Sequence, residues 1–280
     1  MSQGENPRLL AISNIAWPDE ADEDALLLAS ALGFDGIEIA PRKVFGDLAA
    51  VEDAKFIEYR RHLEGLGLAI PALQAILFGA KDLHLFESAE SRRRMADYLK
   101  RVADIASTLG ARSCVFGSPT LRDPGTLALE EALAIATDFF RALAPYFAER
   151  NVQLCFEANP PIYNCRFITE TSEASALVER IDAPGLALQL DTGTLFANGE
   201  DPEVIREVCR QIGHFHVSEP RLPPIGTGGV DHAPLASALK ASCYTGWISI
   251  EMRATDDWRG AMQGAYQLVH ELYCEAETQG

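Results

Sequence analysis

The sequence predicts one α/β domain, a single (β/α)8 TIM barrel over residues 1–280 with an ordered core at about 8–276. Three observations predict it. Eight short β-rich runs alternate with longer helical stretches, and 280 residues over eight units leave 35 for each, one strand plus one returning helix. The runs are near-continuous in apolar residues, as in CVFG, LCFE, LALQLD and WISIE, the pattern of strands buried on both faces of a helix-covered parallel sheet. No G-x-G-x-x-G follows the first run, where SNIAWPDE has no glycine, so an open doubly wound sheet fits less well.

The elements follow in order. The first strand is expected in Leu9–Trp17. The acidic string Asp19–Asp24 then places negative charge where the first helix begins, which suits the helix dipole. Gly33, Gly67 and Gly110 follow helical stretches, where glycine most easily adopts a left-handed cap. The second, third and fourth strands are expected in Gly36–Ala40, Leu68–Ile76 and Arg112–Pro119, with a helix over Glu87–Leu109 before the fourth. In the helix expected over Thr126–Glu149, Leu129, Leu133, Ala136, Phe140 and Leu143 recur at three- and four-residue spacing and form a core-facing stripe. The last four strands are expected in Val152–Asn159, Leu186–Asp191, Ile212–Glu219 and Gly246–Met252, and a final helix over Trp258–Glu275.

Composition narrows the function. Lys plus Arg number 24 and Asp plus Glu 41, a net charge of −17. A field of that sign repels phosphate backbones and anionic lipid, so no nucleic-acid or membrane-surface partner is expected. The N-terminus is polar, and no run approaches the ~20 apolar residues of a membrane span. The six cysteines are scattered without a C-x-x-C pair, so they are expected as reduced thiols in a cytoplasmic protein rather than as a disulfide or zinc framework.

A barrel of this class carries its active site at the C-terminal ends of its strands. The last four runs end in FEAN, QLD, HFHVSE and SIEMR, which deliver Glu157, Asp191, His216 and Glu251 to one rim. Three crowded carboxylates repel one another, and desolvating each is unfavourable. One divalent cation resolves both problems. Three carboxylates and an imidazole suit Mn²⁺ first, then Mg²⁺ or Co²⁺, with Zn²⁺ also compatible. The alternative is that each carboxylate pairs with an arginine, such as Arg253 or Arg221, or caps a helix. His214 shares a strand face with His216 but lies one layer deeper, hydrogen-bonded in the core or supporting the site.

The strings GFDGIEIA, CFEANP, LQLDTG, HFHVSEP and WISIEM resemble, in order and over nearly the whole chain, the xylose-isomerase-like superfamily. Its members include sugar isomerases, ketose 3-epimerases, inosose dehydratases and endonuclease IV. In the epimerase branch a Glu, an Asp, a His and a second Glu hold one divalent metal, often Mn²⁺ or Co²⁺, and the two glutamates serve as acid and base. Carried over by position, these are Glu157, Asp191, His216 and Glu251, with Glu157 and Glu251 the catalytic pair. Two positions depart from the epimerases. The substrate-binding His three residues after the Asp is Thr194 here. The Arg six residues after the metal His is Leu222, with Arg221 one step earlier.

The resemblance implies a divalent-metal-dependent sugar isomerase or epimerase that abstracts a proton beside a carbonyl. The partner is a small polyhydroxylated carbonyl compound, and a homo-oligomer is compatible with the family. Alternatives are a dehydratase of a polyhydroxy ketone, an endonuclease IV-like phosphodiesterase, and a non-catalytic binding barrel. Around the metal, Glu38 and Gln74 are expected to hydrogen-bond sugar hydroxyls, or Glu38 to cap a helix. Trp17 is expected to stack on a sugar face or to be ordinary packing. Arg122 is expected to clamp an anionic group or to lie in solvent. Asn159 is expected to touch substrate or to shape a turn, Arg253 to bind substrate, and His232 to reach the substrate or to lie on the surface.

Overall fold

The computed structural model describes residues 8–274. Eight parallel strands form its centre: β1 (Leu10–Ser13), β2 (Gly36–Glu38), β3 (Ala72–Leu73), β4 (Ser113–Phe116), β5 (Gln153–Glu157), β6 (Leu186–Asp191), β7 (Ile212–Val217) and β8 (Ile248–Ile250). They pair in the order β2-β1-β8-β7-β6-β5-β4-β3. Two lone bridges, Gly36 to Ala69 and Ile39 to Leu73, join the ends of that row and nearly close it. The chain is thus the single-domain (β/α)8 barrel that the repeat predicts. Each strand lies inside its predicted run, though most are shorter. β3 has only two residues, and its ladder starts after Pro71, which has no N–H to give.

Helices return the chain between strands: α1 (Asp22–Leu32), α2 (Pro41–Phe45), α3 (Asp53–Gly65), α4 (Ala89–Leu109), α5 (Leu129–Ala148), α6 (Thr171–Ile181), α7 (Thr192–Asn198), α8 (Val204–Val208), α9 (Ala233–Lys240) and α10 (Trp258–Val269). Asp22, Glu23 and Asp24 occupy the first turn of α1, and Gly33 ends it in the left-handed region at φ 96°. A π-turn over His270–Cys274 continues α10, and Glu275, expected in that helix, lies outside the described residues.

The helices cover the outer face of the strands. Phe116 on β4, Phe156 on β5 and Phe140 on α5 pack ring against ring, with centroids 5.1 to 5.6 Å apart. Each such ring removes roughly 1.5–3 kcal/mol of apolar exposure. The expected stripe on α5 holds for Ala136, Phe140 and Leu143, but Leu129 is 62% exposed, because burial on this helix begins a turn later at Ala132.

Cysteine pairing differs from expectation. Cys209, just after α8, and Cys243, between α9 and β8, form a disulfide with their Cα atoms 5.6 Å apart. The other four, Cys114, Cys155, Cys165 and Cys274, are buried and outside that bond. The pair is 34 residues apart in sequence, and only the packing of α8 against α9 brings the two together. No helix among the described residues is long and apolar enough to cross a membrane.

Candidate active site

Strand register assembles the rim. Glu157 stands opposite Gln189, Asp191 opposite His216, and His216 opposite Ser249. The Asp191–His216 pairing depends on a bulge. Leu188 pairs with Ile212 but Gln189 pairs with His214, so Gly213 is the extra residue on β7. In an unshifted ladder Asp191 would face Phe215, and the histidine would stand one place too far along. Glycine is needed at the bulge because a Cβ there would lie 2.7 Å from Ala187 Cβ and 2.8 Å from Cys155 Sγ.

His216 is 1% exposed and is held from both sides. Its Nε2 lies 3.0 Å from the Glu38 carboxylate, and its Nδ1 lies 3.3 Å from Glu251 Oε2. An ionised carboxylate only accepts, so Nε2 carries a proton and donates it to Glu38. Nδ1 makes no hydrogen bond and faces the acidic rim. Glu157, His216 and Glu251 each offer a ligand atom, and these atoms all lie within 4.8 Å of one another. The two Asp191 oxygens accept from Ser218 Oγ at 2.5 Å and from Thr194 N at 3.0 Å. Two carboxylates and an imidazole nitrogen within 4.8 Å of one another, with Asp191 beside them on the rim but outside that cluster, are a donor set that fits a divalent cation.

Beneath His216, Glu38 is fully buried. It accepts from Ser249 Oγ at 2.5 Å and lies 3.2 Å from His214 Nε2. Burial alone would push its carboxyl up, but His216 and His214 pull it well below the usual carboxylate range. Burial would likewise lower His216, yet Glu38 and Glu251 hold it well above the usual histidine range. On the rim the balance reverses. Burial first, then Asp191 and Glu251, push the Glu157 carboxyl up to about 8. Burial and Glu251 also raise Asp191. The metal-free site therefore holds its protons tightly, and a cation would replace them.

A cavity of about 470 Å³ opens above this cluster. Glu157, Asp191 and Glu251 line its floor side, and Gln74, Asn159 and Arg253 also line it. Four residues expected at the substrate are elsewhere. Trp17 is buried, with its Nε1 donating to Asp22 Oδ1 at 2.8 Å, so its ring has no free face. Glu38 lies under the imidazoles and neither caps a helix nor reaches the cavity. Arg122 is fully buried behind Asn159 rather than in solvent or on the lining. His232 is neither on the surface nor on the lining; it is buried between the Tyr273 hydroxyl, 2.8 Å from Nδ1, and Glu219.

Other site residues carry little sequence signal. Ser218, which fixes Asp191, is recoverable only as the second residue after His216 on the same strand path. Leu77 and Phe78 reach the lining from the loop after β3, and Phe78 is 77% exposed. Glu219 is buried and accepts from the backbone N–H groups of Gly226 and Gly228, which pins the glycine-rich loop after β7. That loop places Leu222 on the lining.

Fold and site together define a (β/α)8-barrel protein with a carboxylate–imidazole cluster able to hold a divalent ion. The family model of the xylose isomerase-like TIM barrel matches residues 26–269, and the chain belongs to that family. It is 26% identical over 246 residues to an L-ribulose 3-epimerase of Methylomonas sp. (strain DH-1), covering 84% of this chain and 79% of that protein. It is 23% identical over 282 residues to an inosose dehydratase of Geobacillus thermodenitrificans (strain NG80-2), covering 88% and 90%. The crystal structure of D-psicose 3-epimerase with D-tagatose, from Clostridium cellulolyticum H10, shares the fold at a TM-score of 0.81. It is 17% identical, with 95% of this chain and 100% of that one covered.

Proposed function

We propose that the protein is a divalent-metal-dependent sugar epimerase or isomerase whose ion is held by Glu157, Asp191, His216 and Glu251, with Mn²⁺ the first candidate. The observation that carries this reading is the Nδ1 of buried His216, without a hydrogen-bond partner and 3.3 Å from Glu251, with Glu157 in the same cluster. The relatives named for L-ribulose and D-psicose 3-epimerisation support the sugar class. When bound, the ion would polarise a substrate carbonyl and neutralise the crowded carboxylates.

The chain's own groups do the rest. Glu157 and Glu251 stand on β5 and at the end of β8, flanking Asp191 and His216, so they can face a small substrate from two sides. One takes the proton on the carbon beside the carbonyl, and the other supplies it from the opposite face or to the neighbouring carbon. Asn159 Nδ2 donates to Glu157 Oε2 at 2.8 Å and orients that carboxyl. Gln74, Tyr163 and Arg253 on the lining are placed to bind the polar remainder of the substrate.

A dehydratase is the second reading, favoured by Thr194. At the position where the epimerases carry a substrate-binding histidine, Thr194 is buried and spends its hydroxyl on Ala158 O at 3.1 Å and on Asp191. It therefore has no donor to offer a ketose. The relative named inosose dehydratase fits the same reading. The test is solvent-deuterium incorporation into a panel of keto-sugars and inososes with Mn²⁺ present, with product mass recorded. Exchange without loss of water supports epimerisation or isomerisation, and loss of water supports dehydration. If Glu157→Gln and Glu251→Gln both leave exchange undiminished, the acid/base assignment is wrong; the expected loss is ~10²–10⁴-fold in each.

A further inference from the structure

We propose that Arg122 is a positioning residue that acts through the Asn159 amide to hold the Glu157 carboxylate in the orientation the ion requires. The proposal rests on the reading of Glu157 as an ion ligand given above.

Arg122 closes the 3₁₀ turn Pro119–Arg122 that follows β4, and no part of it is exposed. Its guanidinium lies over the Phe156 ring, 4.7 Å from the centroid. Nη2 donates to Asn159 Oδ1 at 2.8 Å, and Asn159 Nδ2 donates to Glu157 Oε2 at 2.8 Å. This relay has only one possible sense. A guanidinium only donates, so the amide must turn its oxygen to Arg122, which leaves its nitrogen to donate to Glu157. Remove Arg122 and the amide is free to turn over, setting its oxygen against the carboxylate.

Two further observations set Arg122 apart from packing. Its Nε and Nη1 have no hydrogen-bond partner, and it makes no ion pair among the described residues. A buried arginine left that incompletely bonded is a poor way to fill the space beside a phenyl ring, where an apolar side chain would serve better. The end of β4 is also shaped for the pair. Gly117 lies against Glu157 and Asn159, and a Cβ there would run into Glu157 Oε2 and stand 3.4 Å from Asn159 Oδ1.

The test compares wild type, Arg122→Met, Arg122→Lys, Asn159→Ala and the double variant Arg122→Met/Asn159→Ala, each stripped by chelation and titrated calorimetrically with Mn²⁺. Arg122→Met and Asn159→Ala are each expected to bind Mn²⁺ about 10–100-fold more weakly, the usual range for losing a group that orients a ligand. Arg122→Lys, which keeps a donor and a charge, is expected to recover most of the loss. The double variant is expected to be no weaker than the worse single one, because both act on one relay. Unchanged affinity in folded Arg122→Met, or losses that add in the double variant, would overturn the proposal. Should Arg122→Met fail to fold, unchanged affinity in Asn159→Ala overturns it equally. A wild type that binds no Mn²⁺ removes the reading of Glu157 itself, whereas a wild type that binds alongside equally tight variants removes only the role of Arg122.

Discussion

His216 turns its Nδ1 toward Glu251 because Glu38, on the far side of the ring, accepts a hydrogen bond from its Nε2 at 3.0 Å. This fixes the orientation of the ring and, on the proposed reading, leaves Nδ1 as the nitrogen that would give up its proton to a cation, so that Glu38 would support the ion without touching it. Glu38→Gln keeps the shape and removes the charge. It is expected to weaken Mn²⁺ binding by about 10–100-fold in a calorimetric titration. An affinity within about twofold of wild type would make Glu38 a mere packing residue.

The site makes the metal-free protein sensitive to pH. Glu157, pushed up to about 8, together with Asp191 and His216, which are also raised, binds protons more tightly in the fold than in the unfolded chain. Stability from a raised group is complete below its unfolded pKa and is lost as pH rises through the folded one. The stability of the chelated protein, followed by its melting temperature, is therefore expected to fall between about pH 5 and about pH 8, by on the order of 1 kcal/mol per pH unit for each group titrating there. His232, which burial lowers, acts in the opposite sense, but only near and below its unfolded value of ~6.5. Saturating Mn²⁺ is expected to flatten the slope. A melting temperature that rises over this interval without metal would contradict the arrangement.

Gly117→Ala tests how closely β4 approaches the site. The added methyl would meet Glu157 Oε2, so the carboxylate must move. Overpacking of this kind typically destabilises by about 1–3 kcal/mol. Deuterium exchange is expected to fall by at least about tenfold. Full activity in a folded Gly117→Ala would mean that the carboxylate has room to spare.

Thiol titration checks the cysteines. Unfolded without reductant, the protein is expected to show four reactive thiols, Cys114, Cys155, Cys165 and Cys274, and after reduction all six. In the native state the four are expected to react slowly. They are buried, and burial pushes the Cys155 thiol up to about 12 and raises Cys114 as well. Six thiols in the unreduced, unfolded protein would remove the Cys209–Cys243 bond.

The barrel was legible because eight near-continuous apolar runs alternate with helical stretches along the whole chain. The rim residues were legible because the last four runs end in Glu157, Asp191, His216 and Glu251, and strand parity places such ends on one side. Depth was not legible. Glu38 and Trp17 both close early runs, and nothing local says that one meets two histidines across the barrel while the other is tied to Asp22. Arg122 and His232 lie in loops, where sequence does not decide whether a side chain turns in or out. The disulfide depends on two segments meeting in space, which spacing alone does not encode.

The barrel is not laced equally all round. Glu157, Asp191 and His216 stand on strands of five and six residues joined by ladders of four pairs each, whereas β2 and β3 meet only through the two lone bridges. Gln74, Leu77 and Phe78 hang from that loosely stitched side. The cavity is thus lined in part from staves that share few ladder bonds. On the proposed reading, substitutions at Gln74, Leu77 and Phe78 would reshape what the cavity admits while leaving the residues assigned to the ion in place.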